Sequence, residues 1–390
     1  MSNTNFLSIC LLIASAYIAT DIYIPSLPNL TIYFSISSNL VQYTISVYLF
    51  ALSMTQLIFG PLSDQYGRKP ILLIGTVIGC LGTITCFFSE NIYWMIIGRL
   101  WQGIGLSALI STPKAIISDR FTNIKLAQYN SYLSVIIPVF LAAALVIGGY
   151  LEQYLGWRST FIFMMIYLVI LIPLIWKLPE TNNFAIRYKF SFKKAVSLYL
   201  SLLMNKSYLR ASYNIALGSA GVFTYIITSP FLLQNLAGLE PAQFGWLAIA
   251  VLITLIISGL INSLLIHYYK LKSIIVFNAI IMFISGVILL IIATFKLINI
   301  FILIFPLLMF LFACMPIITN SYTIALDAHK TKEKSGTSAA LLCTIQLLGG
   351  GFGSLIIASL VSNGPLLLAY AYILISLMIA IPSIFSKNLF

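Results

Sequence analysis

Apolar runs of about 20 residues recur twelve times along this chain, and that recurrence leaves few folds open to it. Inside a bilayer every backbone N–H and C=O must be satisfied within the protein, and a spanning α-helix does this by itself. The runs predict spans at Phe6–Leu27, Val41–Leu62, Ile71–Phe88, Tyr93–Ile117, Asn130–Leu151, Thr160–Trp176, Ala211–Leu233, Phe244–Ile266, Ser273–Phe295, Ile300–Ala325, Ser338–Leu360 and Pro365–Ile384. With 61% of residues hydrophobic and 8% charged, against about 25% charged in a soluble domain, the chain has too little polar surface to face water all round. The expected fold class is an all-α membrane protein of twelve transmembrane helices in two six-helix halves.

Cationic loops are retained in the cytoplasm, so the cations give the orientation. Under alternating topology Arg68, Lys69, Arg120, Lys125, Lys177, Arg187, Lys189, Lys193, Lys194, Lys206, Arg210, Lys270, Lys272, Lys330, Lys332, Lys334 and Lys387 share one side, and Arg158 and Lys296 take the other. Both termini are expected in the cytoplasm. The net charge of +12 then reflects topology and contact with anionic lipid, not nucleic-acid binding. Ala14-Ser15-Ala16 looks like a signal-peptidase site, but Met1–Asn5 carries no side-chain cation and Tyr17–Ile24 extends the apolar run, so an uncleaved first helix is expected. Cys10, Cys80, Cys86, Cys314 and Cys343 all lie in predicted spans without metal-type clustering and read as packing residues.

The basic interval 178–210 divides the chain into an N-terminal half, 1–177, and a C-terminal half, 211–390. Phe190, Phe192 and Leu198–Leu203 predict a helix in that linker lying at the membrane interface. Arg68-Lys69 after the second span has a counterpart in Lys270-Leu271-Lys272 after the eighth, a weak repeat of the sort from which transporters build two faces around one site. A monomer is expected.

The loop Gly60-Pro61-Leu62-Ser63-Asp64-Gln65-Tyr66-Gly67-Arg68-Lys69 resembles the signature loop of the major facilitator superfamily, roughly G-x-L-x-D-x-x-G-R-K. The resemblance implies a cytoplasmic gate. Gly60 is expected to permit close helix packing, Gly67 a tight turn, and Asp64 to meet helix N-terminal amides or a cation. Arg68 and Lys69 are expected to anchor the loop at the headgroups, and Asp119 and Arg120 to pair with Arg68 and Asp64 as an inner latch. Further stretches resemble the Bcr/CflA-type drug-resistance branch: Asp21 to Pro28, Gln42 to Gln56, Gly98 to Gly105, Ser229-Pro230-Phe231, Gly238 to Gly245, and Gly336 to Leu342 with Gln346. In the fifth span the sequence departs from that branch: Leu145 stands where a proline precedes the glycine pair Gly148-Gly149, and Pro138 offers a kink instead.

Of the nine acids, Asp21 alone is expected well inside a span, where an ionisable group is a functional candidate by default. Arg99 is expected at a similar depth. Helices one and four line the cavity in the superfamily, so Asp21 and Arg99 are the expected proton-coupling pair, since burial and a nearby guanidinium act in opposite senses on a carboxyl's proton affinity. Substrate contacts are expected from Tyr23, Gln102, Tyr225, Asn320 and Gln346, with Phe223 as an apolar wall. With Arg99 opposing the sole deep acid, neutral, zwitterionic or anionic substrates are expected over quaternary ammonium ions.

The resemblance implies an inner-membrane exporter of small organic compounds such as antibiotics, driven by protons and working by alternating access. A carrier of one physiological metabolite, such as a siderophore, sugar or dipeptide, is the alternative on the same fold, and a non-transporting membrane sensor a more distant one. An enzyme is not expected: His267 and His329 stand at cytoplasmic span ends, and no nucleophile–base pair, metal set or phosphate-binding loop is present. No cofactor is expected.

Overall fold

The computed structural model describes residues 3–121, 123–181, 192–297, 299–328, 335–360 and 364–385. Phe190, Arg187, Lys189, His329, Lys330, Lys332, Lys334 and Lys387 fall outside them. The helices are α1 (Asn3–Asp21), α2 (Leu27–Tyr33), α3 (Ser38–Tyr66), α4 (Arg68–Phe87), α5 (Ile92–Arg120), α6 (Asn123–Leu155) and α7 (Arg158–Lys177). They continue with α8 (Phe192–Leu203), α9 (Lys206–Pro230), α10 (Pro241–Leu265), α11 (Leu271–Thr294), α12 (Ile300–Asp327), α13 (Ser335–Ser359) and α14 (Pro365–Phe385). No strand occurs among the described residues.

Among the described residues, eleven stretches are long and apolar enough to cross a membrane. The fourth expected span, α5, is 29 residues long but more polar, because much of it lies inside protein. Arg99, Gln102, Ser107 and Thr112 are all buried along it. The first span also differs from expectation. Instead of one rod, α1 ends at Asp21, a 3-10 turn covers Ile24–Ser26, and α2 follows. Pro25 and Pro28 lack the N–H that would continue the helical ladder, and Ser26 N turns back to Tyr23 O at 3.0 Å.

The chain divides into two compact units, one of residues 1–191 with 240–248 and one of residues 192–239 with 249–390. In unit 1 the backbones of α4 and α5 meet directly. A Cβ on Gly105 would strike the backbone of Gly79 and come within 2.5 Å of Gly75 O, and one on Gly82 would strike Gln102 N. Gly103 does the same between α5 and α3, its absent Cβ lying 2.5 Å from Tyr48 O. Small residues that admit such approach are the usual means of packing helices where apolar burial gives no drive. They press Arg99 and Gln102 into the interior, with Tyr48 beside them.

Gly148 and Gly149 on α6 act likewise, the first against Ile22 O and the second against Pro241 O within the same unit. In unit 2, Gly353 receives Ala220, and Phe310 and Tyr372 stack at 3.4 Å between ring centroids. There Ser258 Oγ donates to Phe312 O, the carbonyl that Pro316 frees in α12, and Ser285 Oγ donates to Pro306 O, both at 2.6 Å.

Candidate functional site

Two polar assemblies stand out in unit 1. The first surrounds Arg99, whose side chain is wholly enclosed. Its Nη1 donates to Ala19 O at 2.8 Å and to Gln102 Oε1 at 2.6 Å, and Gln102 Nε2 donates to Thr83 Oγ1 at 2.9 Å. The guanidinium carbon lies 4.5 Å from the Tyr23 ring centre and 4.8 Å from that of Tyr48, and aromatic faces compensate part of a cation's lost hydration. Tyr23 and Thr44 share a hydroxyl–hydroxyl bond at 3.1 Å, and Tyr48 OH donates to Ala16 O at 2.6 Å. Nε and Nη2 of Arg99 have no partner among the described residues.

Asp21 ends the helical turn whose Ala19 carbonyl Arg99 holds, and it is buried. Its carboxylate makes no hydrogen bond or ion pair among the described residues, so Asp21 and Arg99, the expected coupling pair, do not bond each other directly. Arg99 instead bonds backbone and amide. That removes the premise of the expected substrate-charge preference, because the deep carboxylate is not neutralised by this guanidinium. Glu152 lies near the end of α6 and is buried there, which its position in the sequence did not reveal.

The second assembly is the signature loop. Gly67, at φ 105°, makes the turn between α3 and α4 in a region that side chains avoid. Arg68 is not at the headgroups as expected; it is buried and held from three sides. Its Nε and Nη2 bond Asp119 Oδ2 and Oδ1 at 3.0 and 3.1 Å, and its Nη1 bonds Ser63 Oγ and Asp64 Oδ1, both at 2.6 Å. A bidentate, charge-assisted fork with a 6% exposed guanidinium is not the weak surface pair of a solvated loop. Lys69 Nζ donates to Trp176 O at 2.9 Å, an exposed contact to the end of α7. Arg120 makes no ion pair among the described residues, so the expected Arg120–Asp64 half of the latch is absent. Gly60 departs too: a Cβ there would meet nothing within 4 Å, so no close packing depends on it.

The sequence reading missed Glu180. Its two oxygens accept the backbone N–H groups of Arg68 and Lys69, both at 3.0 Å, which caps the positive end of α4 with a carboxylate. Thr181 Oγ1 donates to Asp119 Oδ2 at 2.9 Å beside it. The only available signal was an acid just past the sixth span, and nothing in the sequence said which amides it would find.

Of the expected substrate contacts, Tyr23, Gln102 and Asn320 are enclosed within their own units. Asn320 trades amide bonds with Asn262, donating at 2.9 Å and accepting at 3.2 Å, an interhelical clamp between α10 and α12. The Phe223 ring packs on Gly350. Gln346 Oε1 accepts from Tyr322 OH at 2.8 Å. Gln346, Phe223 and Tyr225 are half-buried and keep some surface for other contacts.

Residues 9–354 match the Major Facilitator Superfamily, and the chain belongs to that family of membrane transporters. It is a multi-pass membrane protein that transports rather than catalyses. It is 30% identical over 345 residues, 86% of this chain and 83% of the relative, to the uncharacterized MFS-type transporter YdgK of Bacillus subtilis. It is 23% identical over 244 residues to a bicyclomycin resistance protein homolog of Haemophilus influenzae, covering 62% of this chain and 61% of that one. With multidrug resistance protein MdtM of Escherichia coli it shares 23% over 248 residues, 63% of this chain and 60% of that one. These similarities accord with the Bcr/CflA-type branch. A D-xylose-proton symporter superposes over 99% of this chain and 97% of its own with a TM-score of 0.75 at 15% identity, a likeness of fold.

Proposed function

We propose that the protein is a proton-coupled secondary transporter that exports small organic compounds, antibiotics among them, across a bacterial inner membrane. It works by alternating access as a monomer, with both termini in the cytoplasm and α8 lying along the anionic headgroups. The carrying observation is the mismatch around Arg99: enclosed Nε and Nη2 have no acceptor, while the Asp21 carboxylate, two residues along α1 from a carbonyl that Arg99 holds, has no donor among the described residues. A carboxylate and a guanidinium in that relation form a pair that a small helix movement can make or break, and the carboxyl's protonation follows the movement. Arg68, held by Asp64 and Asp119, is the corresponding cytoplasmic control. Gln346, Tyr225 and Phe223 are the remaining substrate contacts in unit 2.

The test is transport in proteoliposomes under an imposed pH gradient, with chloramphenicol and ethidium as probes. Asp21→Asn is expected to abolish gradient-driven flux of the transported probe and to leave its binding intact. Undiminished coupling in that variant would sink the assignment.

A further inference from the structure

Glu152 lies three residues before the end of α6, at the end of unit 1 opposite the Gly60–Lys69 loop. Only 5% of it is exposed. Its Oε1 accepts from Asn29 Nδ2 at 2.7 Å, which ties α6 to α2. Its Oε2 and the hydroxyl of Ser26 are both buried without a geometric hydrogen bond among the described residues, and the Ser26 side chain lies beside this carboxyl. The geometry is fixed by backbone contact. A Cβ on Gly148, one turn earlier on α6, would strike Ile22 O, so the helix lies directly on the Ile22–Ser26 turn. Tyr23, in that turn, has the Arg99 guanidinium over its ring.

A tie between α6 and α2 needs only one acceptor for Asn29, which a neutral amide would supply. A carboxylate buried with no cation paired to it is costly, and Ser26 Oγ can serve both forms, donating its own O–H to the carboxylate or accepting the O–H of the carboxylic acid. The ionisable groups on the surrounding elements are Asp21 and Tyr23 on the first span, Tyr33 on α2, Arg99 on α5, Tyr150 and Tyr154 on α6 itself, Arg158 at the start of α7, and Glu240 beside α10. Arg158 is occupied by Phe87 O, Ser89 O and Tyr33 OH, and no ion pair to Glu152 occurs among the described residues.

We propose that Glu152 is a second proton-exchanging carboxyl of this transporter, separate from Asp21, at the end of unit 1 opposite the signature loop. A proton from the adjoining solution forms an O–H bond at Oε2. The neutral acid donates that hydrogen to Ser26 Oγ while Asn29 stays on Oε1, and release returns the proton and restores the carboxylate. The inference rests on the proton-coupled reading only for its role in transport; the proton site itself stands apart from it.

pH-difference infrared spectra of the full-length protein in liposomes, without any substrate, read the site directly. Between about pH 5 and 9, a range wide enough for displaced carboxyls, the wild type is expected to show two titrating bands of protonated carboxyl. Glu152→Gln removes one and Asp21→Asn the other. If Glu152→Gln does not fold, Asn29→Leu and Ser26→Ala serve in its place, each displacing the frequency and midpoint of the same band. A Glu152→Gln spectrum superimposable on wild type, or bands untouched by both substitute variants, overturns the proposal. Two bands assigned in this way in a protein whose probe flux ignores the pH gradient would retain the proton site and refute proton coupling.

Discussion

Glu180 shows how much a single side chain contributes to the signature loop. The first amides of a helix have no intrahelical acceptor, and here one carboxylate accepts two of them, each by a charge-assisted bond. A side-chain cap is worth about 1 kcal/mol. Glu180→Ala is therefore expected to speed hydrogen exchange at the Arg68 and Lys69 amides about fivefold, that energy expressed as a ratio. Unchanged exchange there would show that the cap carries no stability. The same carboxylate sets the direction from which the linker leaves α7, so a residue that reads as an ordinary loop acid shapes the approach to Arg68. At this scale the sequence supplied residue types and rarely partners. Arg99 and Asp21 were legible as buried ionisable groups, but the choice of Ala19 O over Asp21 is a matter of ångströms.

Among the helices, glycine has meanings that spacing alone cannot separate. Gly60 belongs to the signature loop and Gly105 to an ordinary-looking run in α5, yet only Gly105 has another backbone against it. Replacing Gly105 with leucine forces α4 and α5 apart and is expected to cost at least the ~1–3 kcal/mol of an overpacked site. Gly60→Ala relieves a helix of its most flexible residue and is expected to be neutral or to stabilise by up to about 1 kcal/mol. Thermal midpoints of the purified protein in detergent check both, since each kcal/mol moves the midpoint by about 2–4 °C in a unit of this size. A comparable drop in the two variants would contradict the contact geometry. The break after Asp21 belongs to the same scale. Pro25 and Pro28 were visible in the sequence, but the hydropathy of residues 6–27 outweighed them in the reading, because a membrane span tolerates proline where side chains and neighbours satisfy the freed carbonyls.

For the molecule as a whole, Arg68 connects the local clamp to the proposed cycle. Breaking the Asp64 contact leaves the two-bond fork to Asp119 in place, whereas removing Arg68 abolishes both and leaves Asp119 its bond from Thr181. Arg68→Ala is therefore expected to shift populations toward cytoplasm-open molecules more than Asp64→Asn does. Paired spin labels on the cytoplasmic ends of the two halves report the distance distributions, and equal or reversed effects would remove Arg68 from control of opening. The sequence by itself determined the helical membrane class and the family, because apolar length and a ten-residue loop are one-dimensional properties. It also marked which ionisable groups are buried in spans at Asp21 and Arg99, since the chain has so few charges to distribute. Tertiary structure alone decided which of those groups meet. Whether Arg99 bonds a carboxylate or a carbonyl, whether Asn320 faces a ligand or Asn262, and whether Glu152 lies at a surface or under α2 all depend on helix rotation and close approach. Those are set by contacts between residues far apart in the chain, at glycines whose role becomes visible only when the opposing backbone is in place.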